Sequence, residues 1–501
     1  MASSTVVIHR IGRIADEEQA LNDSRSSSRS PDPMANLEKL ELEAAERAKM
    51  SFSDRWWRKG KRRVGFKQSL IAIVFSSWLN LFLIFLPIAW VAHFYNQSDH
   101  PPEKTFKYAG TFMLCFLSII PLEKLFDYGG EQMTFYLGED LGELLVVTLN
   151  NTVEATLAII LLKKCELKLL QSTIIGVFLL HLLLIPGVAF VTGGAKVLEQ
   201  DLHPHSTQLN HTLITIGVMT LLLPAAFFAA LDNGLTFATS PDTGELYVND
   251  TTRGIFLQMS RGLAVVLLSV YVCSRIFLHD PPGENFALSE HKLAPEAAKA
   301  RAKELEEGEP EVNQWVCIGM LIVTIGIMAA TAEWLVDSID FVNEDGGIQQ
   351  EFFGIIVLPL VSFSGDGFLA VVFFIRSGIQ HMRGMPSPPA TMASARPIDL
   401  SIQFIMFWMP FVVLLGWWIS HPMSLLFDVF EVALVISGCF IVNYVTADSK
   451  TNWAEGYAML AFYVMIAICT WFYAGQNEIL ALLQCEGVQQ ALTNLSSLGS
   501  E

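Results

Sequence analysis

Long apolar runs separated by short polar breaks fill this chain from about residue 70 to residue 475. Roughly 20 residues cross a hydrocarbon core. Runs of that length fall near 70–95, 107–128, 141–163, 168–192, 210–231, 254–278, 314–338, 351–376, 397–419, 424–446 and 453–475. The pattern predicts an all-α polytopic membrane protein with about 11 transmembrane helices. The ends read differently. Residues 1–68 are polar, with a Ser/Pro-rich "LNDSRSSSRSPDP" that reads as disordered and a "NLEKLELEAAERAK" of short-helix composition. Residues 476–501 form a C-terminal tail.

The longest internal polar segment, 279–312, divides the spans after the sixth. Its middle, "APEAAKARAKELEEGE", favours helix and runs into an acidic cluster, Glu304, Glu306, Glu307, Glu309 and Glu311. A solvated linker helix and a low-affinity cation-collecting helix both fit. After an extra N-terminal span at 69–95, five spans (107–278) precede the linker and five (313–475) follow it. Units of five cross the membrane an odd number of times, so the second inserts upside down. Inverted repeats with matching interruptions at mid-membrane mark secondary transporters.

The segment "RWWRKGKRRVGFK", Arg55 to Lys67, stands directly before the first span. Aromatics beside a cationic cluster fit a cytosolic interface anchor, and the span that follows at once argues against a nuclear localisation signal. A cytosolic N-terminus puts the 376–397 loop, with its three arginines, in the cytosol and the Asn249-Asp250-Thr251 sequon on the other side. The "KKCELK" turn at 163–168 runs against the charge rule. No cleavable signal peptide is expected.

Composition narrows the classes. Hydrophobic residues make up 52% of the 501 residues and charged ones 16%, with mean hydropathy +0.42, values foreign to soluble domains. The net charge is −18, and no basic patch interleaved with aromatics suggests nucleic-acid binding, the one at Arg55–Lys67 standing directly before a span. Neither a nucleotide loop nor a nucleophile constellation suggests an enzyme. The seven cysteines are scattered without a CxxC pair, so packing roles are expected in place of a disulfide framework or zinc site.

Polar residues within the spans carry the chemistry. "GELLVVTLNNTVEATLAIILL" holds Asn150, Asn151, Thr152 and Glu154 within about a turn. "IVLPLVSFSGDGFLAVVFFI" holds Asp366 between Gly365 and Gly367. An intramembrane carboxylate costs at least about 2.5 kcal/mol on insertion scales, so it faces a cavity or a partner. Carboxylate, amide and hydroxyl oxygens are hard ligands suited to Ca²⁺. Two carboxylates, one per repeat, would neutralise a divalent cation and repel one another when empty, so protons and cation compete for the same oxygens.

On these residues the chain resembles the calcium/proton exchangers of the calcium/cation antiporter superfamily, the vacuolar type. "TLNNTVE" resembles the family's G-N-A-x-E motif, with Asn150 at the Gly position. "GGEQMTFYLGEDLGELL", "SRGLAVVLLSVYV", "AEWLVDSID" and the long "PMSLLFDVFEVALVISGCFIVNYVTADSKTNWAEGYAMLAFYVMIAICTWFY" extend the likeness over roughly 78–475. The resemblance implies cation ligation by Glu154, Asp366, Asn151, Glu131, Ser401 and Gln403. It implies proton coupling through Glu154, Asp366 and Glu333, a vacuolar membrane, and no cofactor beyond the transported Ca²⁺. Membrane lipid, Ca²⁺ and protons are the expected partners, and homo-oligomerisation stays open.

The second motif departs from the family pattern. Phe363 stands at the amide ligand, Asp366 at the Glu, and Gly367 at the His. His181 and Asp399 are ionisable groups that the pattern lacks. They either replace the missing His in proton handling or serve as a packing and an interfacial residue, the latter being favoured. The departures keep two alternatives in view: changed selectivity, for Mn²⁺ or a monovalent ion, and a non-transporting regulatory membrane protein.

Overall fold

In the computed structural model the chain divides into two units, Met1–Lys61 and Arg62–Glu501. The structure describes residues 56–57, 64–97, 108–194, 200–201, 204–231, 248–279, 309–339, 349–361, 363, 396–485, 487, 488 and 490. The described residues of the second unit are all but wholly helical. Among the described residues the only strand pairing is a two-residue antiparallel ladder, β1 (Gln200–Asp201) with β2 (Lys450–Thr451).

The first apolar run forms two pieces where one helix is expected. Helix α1 (Phe66–Phe75) stops, a 3₁₀ turn spans Trp78–Ile84, and α2 (Phe85–Gln97) resumes. The cause is "SSWLN". Ser76 Oγ donates to the Ile73 carbonyl, Ser77 Oγ caps Leu79 N–H, and Asn80 Nδ2 reaches back to the Ile73 and Val74 carbonyls. Short polar side chains thus take backbone groups away from the helix ladder. Helix α2 docks on α10 (Gln314–Asp337): Trp90 Nε1 donates to Thr331 Oγ1, and Trp334 packs edge-on against Trp90 and flat against His93.

The first repeat runs through α3 (Tyr108–Leu137), α4 (Glu139–Asn150), α5 (Thr152–Lys164), α6 (Leu167–Leu179), a π turn at Leu180–Leu184, α7 (Ile185–Gly194), α8 (Pro204–Leu231) and α9 (Asp250–His279). The second begins with α10. It continues through α11 (Gln350–Phe352) with a π turn at Phe353–Val357, α12 (Arg396–Gln403) with a π turn at Phe404–Trp408, α13 (Met409–Trp418), α14 (Val429–Val445) and α15 (Trp453–Trp471). A short α16 (Asn477–Leu483) ends the described fold. The π turns at Leu180–Leu184 and Phe404–Trp408 fall in the third span of each repeat, and π turns of this kind often mark functional segments.

Eight described helices are long and apolar enough to span a membrane. The α4–α5 pair, bent by 50°, makes a ninth. Shorter apolar helices, Gln350–Val361 and Val429–Val445, occupy two more of the eleven expected positions. Large apolar side chains such as Val265, Ile322 and Phe440 point outward, as a lipid-facing surface requires. Trp418, Trp453 and Phe472 are exposed at helix ends, where interfacial aromatics belong.

One expectation needs correcting. Cys165 and Cys485, 320 residues apart, form a disulfide, which no local spacing announces. Cys165 closes α5 with φ +65°, a left-handed position that glycine ordinarily fills. The tail is thereby fastened to the end of the helix that carries Glu154. Cys115, Cys317 and Cys439 are buried as expected, while Cys273 and Cys469 are exposed. Maleimide labelling in denaturant should therefore count five thiols before reduction and all seven afterwards; seven throughout would contradict the bond.

Candidate functional site

The site is built on the break between α4 and α5. Asn151 sits at the 50° bend, wholly buried, with non-helical backbone (φ −88°, ψ 5°). Its Nδ2 donates to Gln403 Oε1 at 2.8 Å and to the Leu400 carbonyl at 3.3 Å. Gln403 Nε2 in turn donates to Thr148 Oγ1 at 2.9 Å. These bonds stitch the break in the first repeat to α12 of the second. They also orient the amide: with its nitrogen occupied by two acceptors, Asn151 Oδ1 is buried with no hydrogen-bond partner among the described residues. A buried, unsatisfied oxygen calls for an explanation, and a hard cation supplies one.

Glu154 lies one turn further along α5, 2% exposed. Its Oε1 is 3.6 Å from Nε2 of His181, which is 3% exposed on the π turn between α6 and α7. The buried imidazole of His181 faces the buried carboxylate, an arrangement open both to a hydrogen-bonded packing residue and to a group that handles protons. Ser401 is wholly buried one turn before the Phe404–Trp408 π turn, with its Oγ donating to the Ile398 carbonyl. The structure therefore links Asn151 to Gln403 and Glu154 to His181 across three spans, while Ser401 lies on the same helix as Gln403 and bonds within it.

Other candidates lie elsewhere. Asp399 is half-buried on α12 and accepts from Asn210 Nδ2 at 3.1 Å, so it is engaged with α8. Glu131 is exposed on α3, next to Gln132, whose Oε1 accepts the Glu311 and Val312 N–H groups at the start of α10. Glu311 also accepts from Tyr128 O–H, which ties the described end of the acidic segment to α3; Glu309 is exposed. Glu333 pairs at 3.9 Å with Lys163, nine residues and roughly 13 Å along α5 from Glu154. Asp366, Gly367, Glu304, Glu306 and Glu307 lie outside the described residues.

Sequence reasoning passed over Thr148, the Leu400 carbonyl and Asn210. Thr148 carried a usable signal, since it stands three residues before Asn151 on the same helix face. The other two depend on a helix crossing that no local pattern announces.

A polytopic helical protein with a broken span, a buried amide and a buried carboxylate at the break, and a helix of the second repeat bonded to that break belongs to the class of secondary transporters. The family described as "Sodium/calcium exchanger protein" matches residues 107–278 and 316–472, and the chain belongs to that family, one of transporters and not of enzymes. Among curated relatives, it is 28% identical to a vacuolar calcium ion transporter of Cryptococcus neoformans, over 83% of this chain and 77% of the relative. It is 29% identical to a Ca²⁺/H⁺ antiporter of Synechocystis, over 78% and 96%. Among solved structures it resembles native YfkE (TM-score 0.56, 20% identity, 78% of this chain and 100% of that one). It also resembles the H⁺/Ca²⁺ exchanger CAX (TM-score 0.51, 14% identity, 87% and 99%). The structural likenesses carry the all-helical exchanger fold.

Proposed function

We propose that this protein exchanges Ca²⁺ for protons across an acidic internal membrane, the vacuolar membrane by analogy with the Cryptococcus relative. The observation that carries the reading is the buried, unbonded Asn151 Oδ1 beside the buried Glu154. In this reading Glu154 and Asn151 bind Ca²⁺ from the first repeat, and Asp366 supplies the opposing carboxylate from the second. Gln403 and Ser401 hold the second repeat's side of the site, Gln403 by orienting the Asn151 amide. The N-terminus is cytosolic. The acidic segment around Glu304–Glu311 gathers cations at the mouth, and the two repeats shift against each other to alternate access.

His181 is the proton partner of Glu154. When protonated at Nε2 it forms an ion pair with the carboxylate and opposes a cation at the same oxygens. When neutral it leaves the carboxylate to Ca²⁺. Acid on one side therefore ejects the cation, and neutral pH on the other restores the ligand. His181→Ala removes this competitor, so that only carboxylate protonation can displace Ca²⁺. Its pH profile for Ca²⁺ release from reconstituted liposomes should move to more acid values. An unchanged profile would sink the role of His181. Offering Ca²⁺, Mn²⁺ and Na⁺ separately under an imposed pH gradient tests the substrate; Ca²⁺ uptake should lead.

A further inference from the structure

A second buried charge cluster lies away from Glu154, at the membrane face that carries the Cys165–Cys485 disulfide. Lys168 Nζ, on the first turn of α6, lies 3.1 Å from Glu431 Oε1, 3.5 Å from Glu351 Oε1 and 3.8 Å from Asp428 Oδ2, and all four side chains are at most 4% exposed. One cation thus faces three carboxyl groups. Such an excess of buried negative charge is costly unless a proton or another cation offsets it.

Hydrogen bonds decide which carboxyl takes the proton. Asp428 Oδ1 accepts from Phe430 N–H and from Tyr473 O–H at 2.6 Å, and its Oδ2 accepts from Gln476 N–H. Glu431 Oε1 accepts from Ser172 O–H at 2.7 Å and from Lys168, and its Oε2 accepts from Asp428 N–H. Both therefore have hydrogen-bond donors on each oxygen. Glu351 differs. Its Oε1 faces Lys168 at 3.5 Å, while its Oε2 is buried with no hydrogen-bond partner among the described residues. The backbone at Gly475 (φ +82°) closes over it: a Cβ there would lie 2.0 Å from Glu351 Oε1.

We infer that Glu351 is a proton-binding site outside the transport centre, holding its proton on Oε2, and that this proton keeps α6, α11, α14 and the tail clamped together. The titratable groups that face Glu351 are Lys168 from α6, Asp428 and Glu431 from the start of α14, and Tyr473 from the turn after α15. Burial and the adjacent Asp428 carboxylate push the Tyr473 phenol well above its ordinary value, so it remains a donor. Loss of the Glu351 proton puts a third negative charge against Asp428 and Glu431, and the clamp loosens.

The sign follows from linkage. A carboxyl held neutral in the fold binds its proton more tightly there than in the unfolded chain. Its contribution is complete below the unfolded glutamate value of about 4.3 and is lost as pH rises through the folded value. The test is thermal unfolding of the full-length protein in detergent from about pH 5 to 8. The wild type should lose melting temperature as pH rises. Glu351→Gln, neutral at every pH, should keep the acid-pH melting temperature and flatten that slope, with exchange at acid pH intact. Lys168→Met should melt earlier throughout, because it strips the remaining cation from Asp428 and Glu431. An unchanged slope in Glu351→Gln would overturn the inference. So would a Glu351→Gln protein that fails to fold while Glu351→Asp folds, since the charge itself would then be required. The readout is stability, so it stands apart from whether Ca²⁺ is the cargo.

Discussion

Glu154→Gln is expected to abolish cation uptake into acidified vesicles while leaving the fold intact. Glutamine keeps the volume and one oxygen at a site 2% exposed, so packing on the α4–α5 break survives. What disappears is the negative charge that, in the proposed mechanism, both the cation and the His181 imidazolium require. Loss of outer-shell support alone lowers metal affinity by about 10–100-fold, so loss of a directly ligating carboxylate should lower uptake by more than about 100-fold. Glu333→Gln makes the contrast: its pair with Lys163 is 3.9 Å long and half-exposed, and exposed pairs are worth about 1 kcal/mol or less. Uptake by Glu333→Gln should remain near that of the unmutated protein. Unmutated uptake by Glu154→Gln would remove Glu154 from the site and with it the proposed mechanism.

How much of this was legible beforehand depends on the range of the interaction. The spans were readable because the need to satisfy every backbone group within lipid forces long apolar helices. The polar patch at "LNNTVE" was readable because amides and a carboxylate within one turn have no place on a lipid-facing surface, whereas the 50° bend within it was not, since 141–163 reads as one continuous span. His181 was visible as an unexpected ionisable group, but its meeting with Glu154 depends on how the Leu180–Leu184 π turn is seated against α5, which periodicity does not encode. The Lys168 cluster was not legible at all. Its members at 168, 351, 428, 431 and 473 each sit at a span end, where a charged residue is ordinary, and only the crossing of both repeats assembles them. The same holds for Cys165 and Cys485. Serines 76 and 77 misled in the opposite direction, since a hydropathy count smooths over a hydrogen-bonded break that two hydroxyls and Asn80 create locally.

Gly176→Val should be among the most destructive single changes in the chain, although it touches no candidate ligand. Gly176 lies on α6 against the π turn that follows α11. A Cβ there would stand 2.3 Å from the Ile355 carbonyl oxygen and 2.6 Å from Pro359 Cγ. The approach is reciprocal, since a Cβ on Gly354 would lie 2.6 Å from Ser172 Cβ. Ser172 and Gly176 are four residues apart, the small-xxx-small spacing that lets helix backbones come together in a membrane. Ordinary contact begins near 3.4 Å, and the obstacle is backbone, so no rotamer change relieves it. Overpacking a tight core costs about 1–3 kcal/mol even where side chains can yield. Displacing α11 from α6 also moves Glu351 from Lys168 and shifts the π turn that presents His181 to Glu154. Gly176→Val should therefore lose the monodisperse peak in size-exclusion chromatography and all exchange. Gly326→Val on α10 is the control: nothing lies within 4 Å of its added Cβ, and its elution and exchange should match those of the unmutated protein. A Gly176→Val protein that elutes and transports normally would mean that the two repeats do not cross at this point, and the assembly of His181 against Glu154 would need another support.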